Sequence, residues 1–182
     1  MVQTLQGNSR VKEPISHSAL ARGMGWGSLA GLAGTIAMDV VCIGVLSAGR
    51  LPALISFVTI GDTAARFFSL LGVELAGGLP LGMAAHYLIG PVLGAIFGAA
   101  VAQVKAFRAD TLRKGIVVGI LYVELASQPI LAAAPILLRM SQSETLLWFG
   151  VSFVMHMIYG AVLGAVVSYG LRPRRAGQPL AN

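Results

Sequence analysis

The stretch that decides the fold is His86-Tyr-Leu-Ile-Gly-Pro-Val-Leu-Gly-Ala-Ile-Phe-Gly98, which recurs as His156-Met-Ile-Tyr-Gly-Ala-Val-Leu-Gly-Ala-Val-Val-Ser168. In both copies a histidine is followed by small residues at intervals of four, and residues four apart lie on one face of a helix. Each copy therefore predicts a helix with a smooth small-residue face and an imidazole at one end. Such faces let membrane helices pack closely. The glycines predicted to pack helices are Gly27, Gly31, Gly90, Gly94, Gly98, Gly160 and Gly164.

The composition of the chain predicts one domain that is embedded in a membrane. Of the 182 residues 56% are hydrophobic and only 11% are charged, whereas soluble domains carry about 25% charged residues. The net charge of +6 is compatible with nucleic-acid binding. The basic residues lie between apolar runs, however, which is the pattern of membrane topology. We therefore expect the lipid bilayer as partner and no nucleic acid.

The hydropathy pattern predicts an all-α bundle of four transmembrane helices. An amphipathic helix over roughly 51–72 is placed on the outer membrane surface, with a fifth span as the alternative. The bundle is expected over 25–171, between a flexible cytoplasmic tail at 1–24 and a cytoplasmic tail at 172–182. The four predicted spans are roughly 26–48, 80–103, 114–138 and 145–170.

The distribution of positive charge predicts the orientation. With four spans, ten of the 13 lysines and arginines fall in the two tails and the loop 105–114. Only Arg50, Arg66 and Arg139 fall on the other side. Because cytoplasmic segments carry the excess of positive charge, we expect a multi-pass protein of the bacterial inner membrane with both termini in the cytoplasm.

The recurrence extends to a doubled hairpin. The second span aligns with the fourth at an offset of 70 residues, and Gly34 and Asp39 of the first align with Gly119 and Glu124 of the third at an offset of 85. Because each unit contains two spans, the two halves would have the same orientation in the membrane.

Each predicted span carries one ionisable side chain near the middle of the bilayer. These four side chains are Asp39, His86, Glu124 and His156, and together with the amide Gln128 of the third span we call them the polar layer. A charged side chain at the bilayer centre costs about 2.5–3.5 kcal/mol on insertion scales. These groups are therefore expected to face the bundle interior and to find partners there.

Three functions are compatible with the polar layer. Its members could join neighbouring helices in a structural or assembly subunit, which is the reading we favour. They could also form a proton, ion or solute pathway. Finally, His86 and His156 could ligate haem or a metal, although neither a cofactor nor a metal site is predicted. No catalytic motif is present, so we expect no enzymatic activity. The glycine faces also suggest a homo-oligomer or another membrane-protein partner.

The two histidine segments, together with Gly31-Leu-Ala-Gly34-Thr-Ile-Ala-Met-Asp39, support a family resemblance. Over about residues 25–170 the chain resembles a group of small four-span bacterial inner-membrane proteins that contain a domain of unknown function and are distantly similar to YagU-like proteins. In that group the His-x-x-x-Gly heads of the second and fourth helices recur, here His86/Gly90 and His156/Gly160. The resemblance implies the topology and leaves the function open.

Overall fold

The computed structural model of the chain describes residues 17–50, 52–104, 107 and 111–172. These residues form five α-helices. In chain order they are α1 (His17–Ala48), α2 (Ile55–Leu70), α3 (Gly78–Gln103), α4 (Leu112–Leu138) and α5 (Gln142–Gly170).

Four of these helices, α1, α3, α4 and α5, are long and apolar enough to cross a membrane. Their 26 to 32 residues exceed the roughly 20 that the hydrocarbon core requires. They contain the four predicted spans, so the prediction of an all-helical chain with four apolar helices is confirmed. The sequence Ser141-Gln-Ser-Glu144 has the pattern of a capping box, which predicts the start of a helix. In the structure Ser141 and Glu144 form this box at the start of α5.

The predicted N-terminal tail is too long, because α1 begins at His17 rather than near residue 26. The additional turns are held by contacts with the far ends of α3 and α5. Gly23 is buried against Gly98 and Ala102, and the guanidinium of Arg22 donates a hydrogen bond to the carbonyl oxygen of Gly170 at 2.9 Å. The rest of the predicted tail, residues 1–16, lies outside the described residues.

Backbone contacts between glycines join α1 to α3. We call this line of contacts the first seam. At its centre, a Cβ added to Gly31 would lie 2.5 Å from the carbonyl oxygen of Gly90 and 3.1 Å from the Cα of Gly94. The two helices therefore approach more closely than any side chain at this position would permit. The first seam consists of Gly23, Gly27 and Gly31 of α1 with Gly90, Gly94 and Gly98 of α3.

The second seam joins α4 to α5 in the same manner. A Cβ added to Gly160 would lie 2.6 Å from the Cα of Ile120 and 2.9 Å from the carbonyl oxygen of Gly119. Ser168 takes the place of a third glycine on α5, and its hydroxyl donates to the carbonyl oxygen of Gly164 at 2.6 Å. The second seam consists of Gly115 and Gly119 of α4 with Gly160, Gly164 and Ser168 of α5.

The two helix pairs are joined through α1 and α5. At one end Trp26 packs against Gly170, and nearer the middle the ring of Tyr159 packs against Gly34. The Tyr159 hydroxyl also donates to the carbonyl oxygen of Gly90. By their contacts the long helices follow the order α3, α1, α5, α4, and α3 and α4 make few contacts with each other.

The short helix α2 packs on the N-terminal half of α3 and also reaches α4. Gly61 of α2 meets the backbone of Gly78 and Gly82, and Phe57 is buried beside it. The side chain of Asp62 accepts a hydrogen bond from the backbone N–H of Gly78 at 2.7 Å, which satisfies a free donor at the start of α3. The helix therefore covers part of the bundle, and its placement at a membrane interface remains a prediction.

Candidate functional site

The long helices enclose a cavity of about 610 Å³ in the half of the bundle remote from the start of α1. Every helix contributes to its wall, and most of the wall is apolar. The volume lies within the range of roughly 300–1,000 Å³ that is typical of small-molecule pockets. The polar or weakly polar side chains in the wall are Asp39, Cys42, Ser56, Thr63, His86, Ser127, Trp148, Ser152 and His156.

The cavity ends near the middle of the bundle, where α3 and α4 touch. The Tyr122 hydroxyl of α4 donates to the carbonyl oxygen of Leu93 in α3 at 2.9 Å, and the rings of Tyr122 and Phe97 have centroids 5.0 Å apart. Beyond this contact the cavity separates the two helices. On the α5 side, the indole N–H of Trp148 donates to the carbonyl oxygen of Leu131 at 3.0 Å, which fixes one aromatic wall.

The cavity is open towards the side of the bundle between α3 and α4. Leu88 of α3, Ile130 of α4 and Phe67 of α2 line the cavity and are also 46 to 66% exposed. Residues with both properties stand at the rim of an opening. In a membrane this opening would face lipid chains rather than water, because the exposed side chains around it are apolar.

Two members of the polar layer form a hydrogen-bonded pair in the cavity wall. The Nε2 atom of His86 donates to Oδ1 of Asp39 at 2.9 Å, with side-chain exposures of 16% and 10%. Phe57 of α2 contacts the imidazole edge-on, with ring centroids 5.3 Å apart. The second carboxylate oxygen of Asp39 has no hydrogen-bond partner among the described residues. The pair links α1 to α3 and leaves one acceptor free.

His156 also lines the cavity, beside Ser127 of α4. The Nδ1 atom of His156 and the Oγ atom of Ser127 are shielded and have no hydrogen-bond partner within the part of the chain that the structure describes. Both residues also border a recess of about 50 Å³, together with His86 and Tyr159. The structure thus places Asp39, His86 and His156 in the wall of one cavity.

The two remaining members of the polar layer lie elsewhere. Glu124 is half-buried and absent from the cavity wall, and its carboxylate oxygens are shielded without a partner among residues 17–50, 52–104, 107 and 111–172. Gln128 is on an exposed face of α4 and also outside the wall. The predicted layer therefore divides into three cavity residues and two others.

The contacts along the two seams explain why the sequence pattern assigned Glu124, and not Ser127, to the polar layer. Gly31 meets Gly90, and Gly119 meets Gly160, so Gly119 of α4 corresponds to Gly31 of α1, at an offset of 88 residues rather than 85. With this offset the counterpart of Asp39 is Ser127. The signal was present in the sequence, because Gly27 and Gly31 have the same spacing as Gly115 and Gly119.

The predicted packing glycines all lie in the two seams, so these faces are occupied by helices of the same chain. Self-association through them remains a prediction. In the described part of the chain, no group of three or more His, Cys, Asp or Glu side chains could hold a metal ion.

No protein-family model, curated protein or solved structure matches this chain. The resemblance to small four-span proteins of unknown function therefore remains a prediction, and the site must be interpreted from its own geometry. The four long apolar helices fit a multi-pass membrane protein.

Proposed function

We propose that this chain is a non-enzymatic membrane protein that binds a small lipophilic molecule in the cavity between its helices. The observation that carries the proposal is the cavity itself, which has about 610 Å³ of space, a mostly apolar wall and a few polar side chains. Ligand sites commonly combine an apolar wall with a small number of polar groups that orient the ligand. The lateral opening gives such a molecule a route from the bilayer.

This function accounts for polar side chains of the cavity wall that a structural role alone leaves unexplained. The hydrogen bond between Asp39 and His86 joins two helices and fits the role of helix adhesion. Ser127 and His156 form no such bond among the described residues. Shielded polar groups without partners cost free energy, and a bound molecule that supplies partners removes this cost.

The proposed setting is a bacterial inner membrane with both termini in the cytoplasm, as the positive charges suggest. In that orientation the cavity lies in the outer half of the bilayer. Ligand enters from the outer leaflet, and α2 forms the adjacent wall on the same side. A structural or assembly role, a conduction pathway and haem binding are the alternatives that the experiment must separate.

The test is saturable binding of a dansyl-labelled alkyl probe to the purified protein in mild detergent, detected by energy transfer from Trp148 to the dansyl group. Trp148 lines the cavity, and Trp26→Phe removes the other tryptophan. Two neighbouring alanines of α3 supply a matched pair: Ala85 lines the cavity, whereas Ala84 is exposed and does not.

We expect one probe per chain, unchanged affinity in Ala84→Phe and at least about tenfold weaker binding in Ala85→Phe, a difference of about 1.4 kcal/mol. Non-saturable binding, or equal effects of the two substitutions, would refute the proposal. An absorption spectrum of the same sample tests the haem alternative. A Soret band that His86→Ala abolishes would indicate haem binding in place of a lipophilic ligand. Proton flux in liposomes without any probe binding would support the conduction alternative.

A further inference from the structure

The two seams place Ser127 and His156 in positions that correspond to Asp39 and His86. Asp39 lies eight residues after Gly31, and Ser127 lies eight residues after Gly119. His86 and His156 each precede their own seam glycine, Gly90 or Gly160, by four residues. Because Gly31 packs on Gly90 and Gly119 on Gly160, the same relation between helices brings each polar residue towards its histidine.

The two corresponding pairs differ in their hydrogen bonds. The first pair is closed by a bond of 2.9 Å between the imidazole and the carboxylate. In the second pair the side chain of Ser127 is shorter than that of Asp39. The Oγ of Ser127 and the Nδ1 of His156 remain without partners among the residues described. The second pair is therefore an unfilled polar site at the wall of the same cavity.

The recess beside this pair has room for one small polar group. Its volume is about 50 Å³, compared with the roughly 10–15 Å³ of cavity that one water molecule requires. His86, Ser127 and His156 line both the recess and the large cavity, so the two spaces adjoin. A molecule with its polar head in the recess would therefore extend its apolar part directly into the large cavity.

The charge of the wall restricts the type of head group. Within the described ranges, no lysine or arginine lines the cavity or the recess, so a carboxylate or phosphate head would lack a cationic partner. Asp39 lines the large cavity but not the recess, so an ammonium head in the recess would have no carboxylate among the residues that line it. A hydroxyl both donates and accepts, and this matches the capacities of Ser127 and of a neutral imidazole.

We propose that the recess binds the hydroxyl head of an uncharged single-chain lipid. Its hydrocarbon chain lies in the large cavity and leaves through the opening between α3 and α4. The hydroxyl bonds to the Oγ of Ser127 and the Nδ1 of His156, which have no partners among the described residues. This assignment rests on the proposed function, because it names the ligand class for the same cavity.

The test compares three ligands of equal chain length as competitors of the dansyl probe: 1-dodecanol, its methyl ether and dodecanoate. The alcohol can donate and accept, the ether can only accept, and dodecanoate is anionic. We expect the alcohol to bind about tenfold more tightly than either of the others, which corresponds to the loss of one buried hydrogen bond.

Substitutions then test whether the preference for the alcohol arises in the recess. His156→Phe is expected to weaken alcohol binding about tenfold and to leave ether binding unchanged, because only the alcohol can donate to the imidazole nitrogen. Ser127→Ala removes the hydroxyl that donates to both ligands and is expected to weaken both. Ser152→Ala is the matched control, because Ser152 lines the large cavity but not the recess. Retained probe binding in every variant shows that the cavity is still folded.

Equal affinities for alcohol and ether, a preference for dodecanoate, or an alcohol preference that survives His156→Phe would each overturn the inference. In all three cases the probe still binds, so the proposed function would stand. If the probe fails to bind the unmodified protein, the proposed function itself is refuted.

Discussion

The close approach of α1 and α3 can be tested by two alanine substitutions in the same helix. At Gly31 an added Cβ would lie 2.5 Å from the carbonyl oxygen of Gly90, whereas at Gly44 it would meet nothing within 4 Å. Ordinary contact begins at 3.4 Å. Gly31→Ala therefore forces the first seam to open locally by roughly 0.9 Å, the difference between 3.4 and 2.5 Å. A gap of about 0.5–1 Å already loses a quarter to a half of the dispersion energy of the contacting atoms.

The two variants share the change in helix propensity, which favours alanine by up to about 1 kcal/mol. The difference between them isolates the cost of overpacking, typically about 1–3 kcal/mol. We therefore expect the free energy of unfolding of Gly31→Ala to be lower than that of Gly44→Ala by this amount.

The measurement is equilibrium unfolding in mixed micelles with increasing mole fraction of sodium dodecyl sulfate, followed by far-ultraviolet circular dichroism. Both variants and the unmodified protein are compared under the same conditions. A difference below about 0.5 kcal/mol, which is the usual scatter of surface substitutions, would show that the two helices do not approach at the first seam as described.

Three further substitutions test other features of the bundle by the same unfolding measurement. His86→Leu leaves the carboxylate of Asp39 unpaired and should cost about 3–5 kcal/mol, whereas adding Asp39→Leu should restore much of this loss; additive losses would contradict a direct pair. Ser141→Ala removes the cap of α5 and should cost about 1 kcal/mol, with Gln142→Ala as the control that should change little. Glu124→Gln should leave stability equal or higher, because its carboxylate oxygens have no partner within the described ranges; a marked loss would reveal a partner of the carboxylate.

The sequence was sufficient to predict the features that depend on local pattern. Four long apolar runs predicted the four apolar helices, and Ser141 with Glu144 predicted the cap of α5 correctly. Both follow from residues close together in the chain. The prediction that Asp39, His86 and His156 lie near the middle of their spans requires only a count along each helix, and the structure places all three in the wall of one cavity.

The features that depend on contacts between distant segments were not predicted. The predicted alignment of the two halves was based on two acids, Asp39 and Glu124, at an offset of 85 residues. The packing of Gly119 on Gly160 gives an offset of 88 residues instead. A shift of three residues still keeps a position on nearly the same helix face, so periodicity does not reveal the error. The cavity was also missed, because its volume depends on how far α3 and α4 diverge.

The seams have a consequence for the order of assembly during synthesis. Each joins helices within one half of the chain, α1 with α3 and α4 with α5, so each half can complete its own packing before the other is finished. Most contacts that join the halves involve α5, as in the hydrogen bond from Arg22 to Gly170, 148 residues apart, so they can form only after α5 has been synthesised. We therefore expect two fragments, divided between α3 and α4 and translated from separate messages, to insert independently and to associate into a complex that still binds the probe.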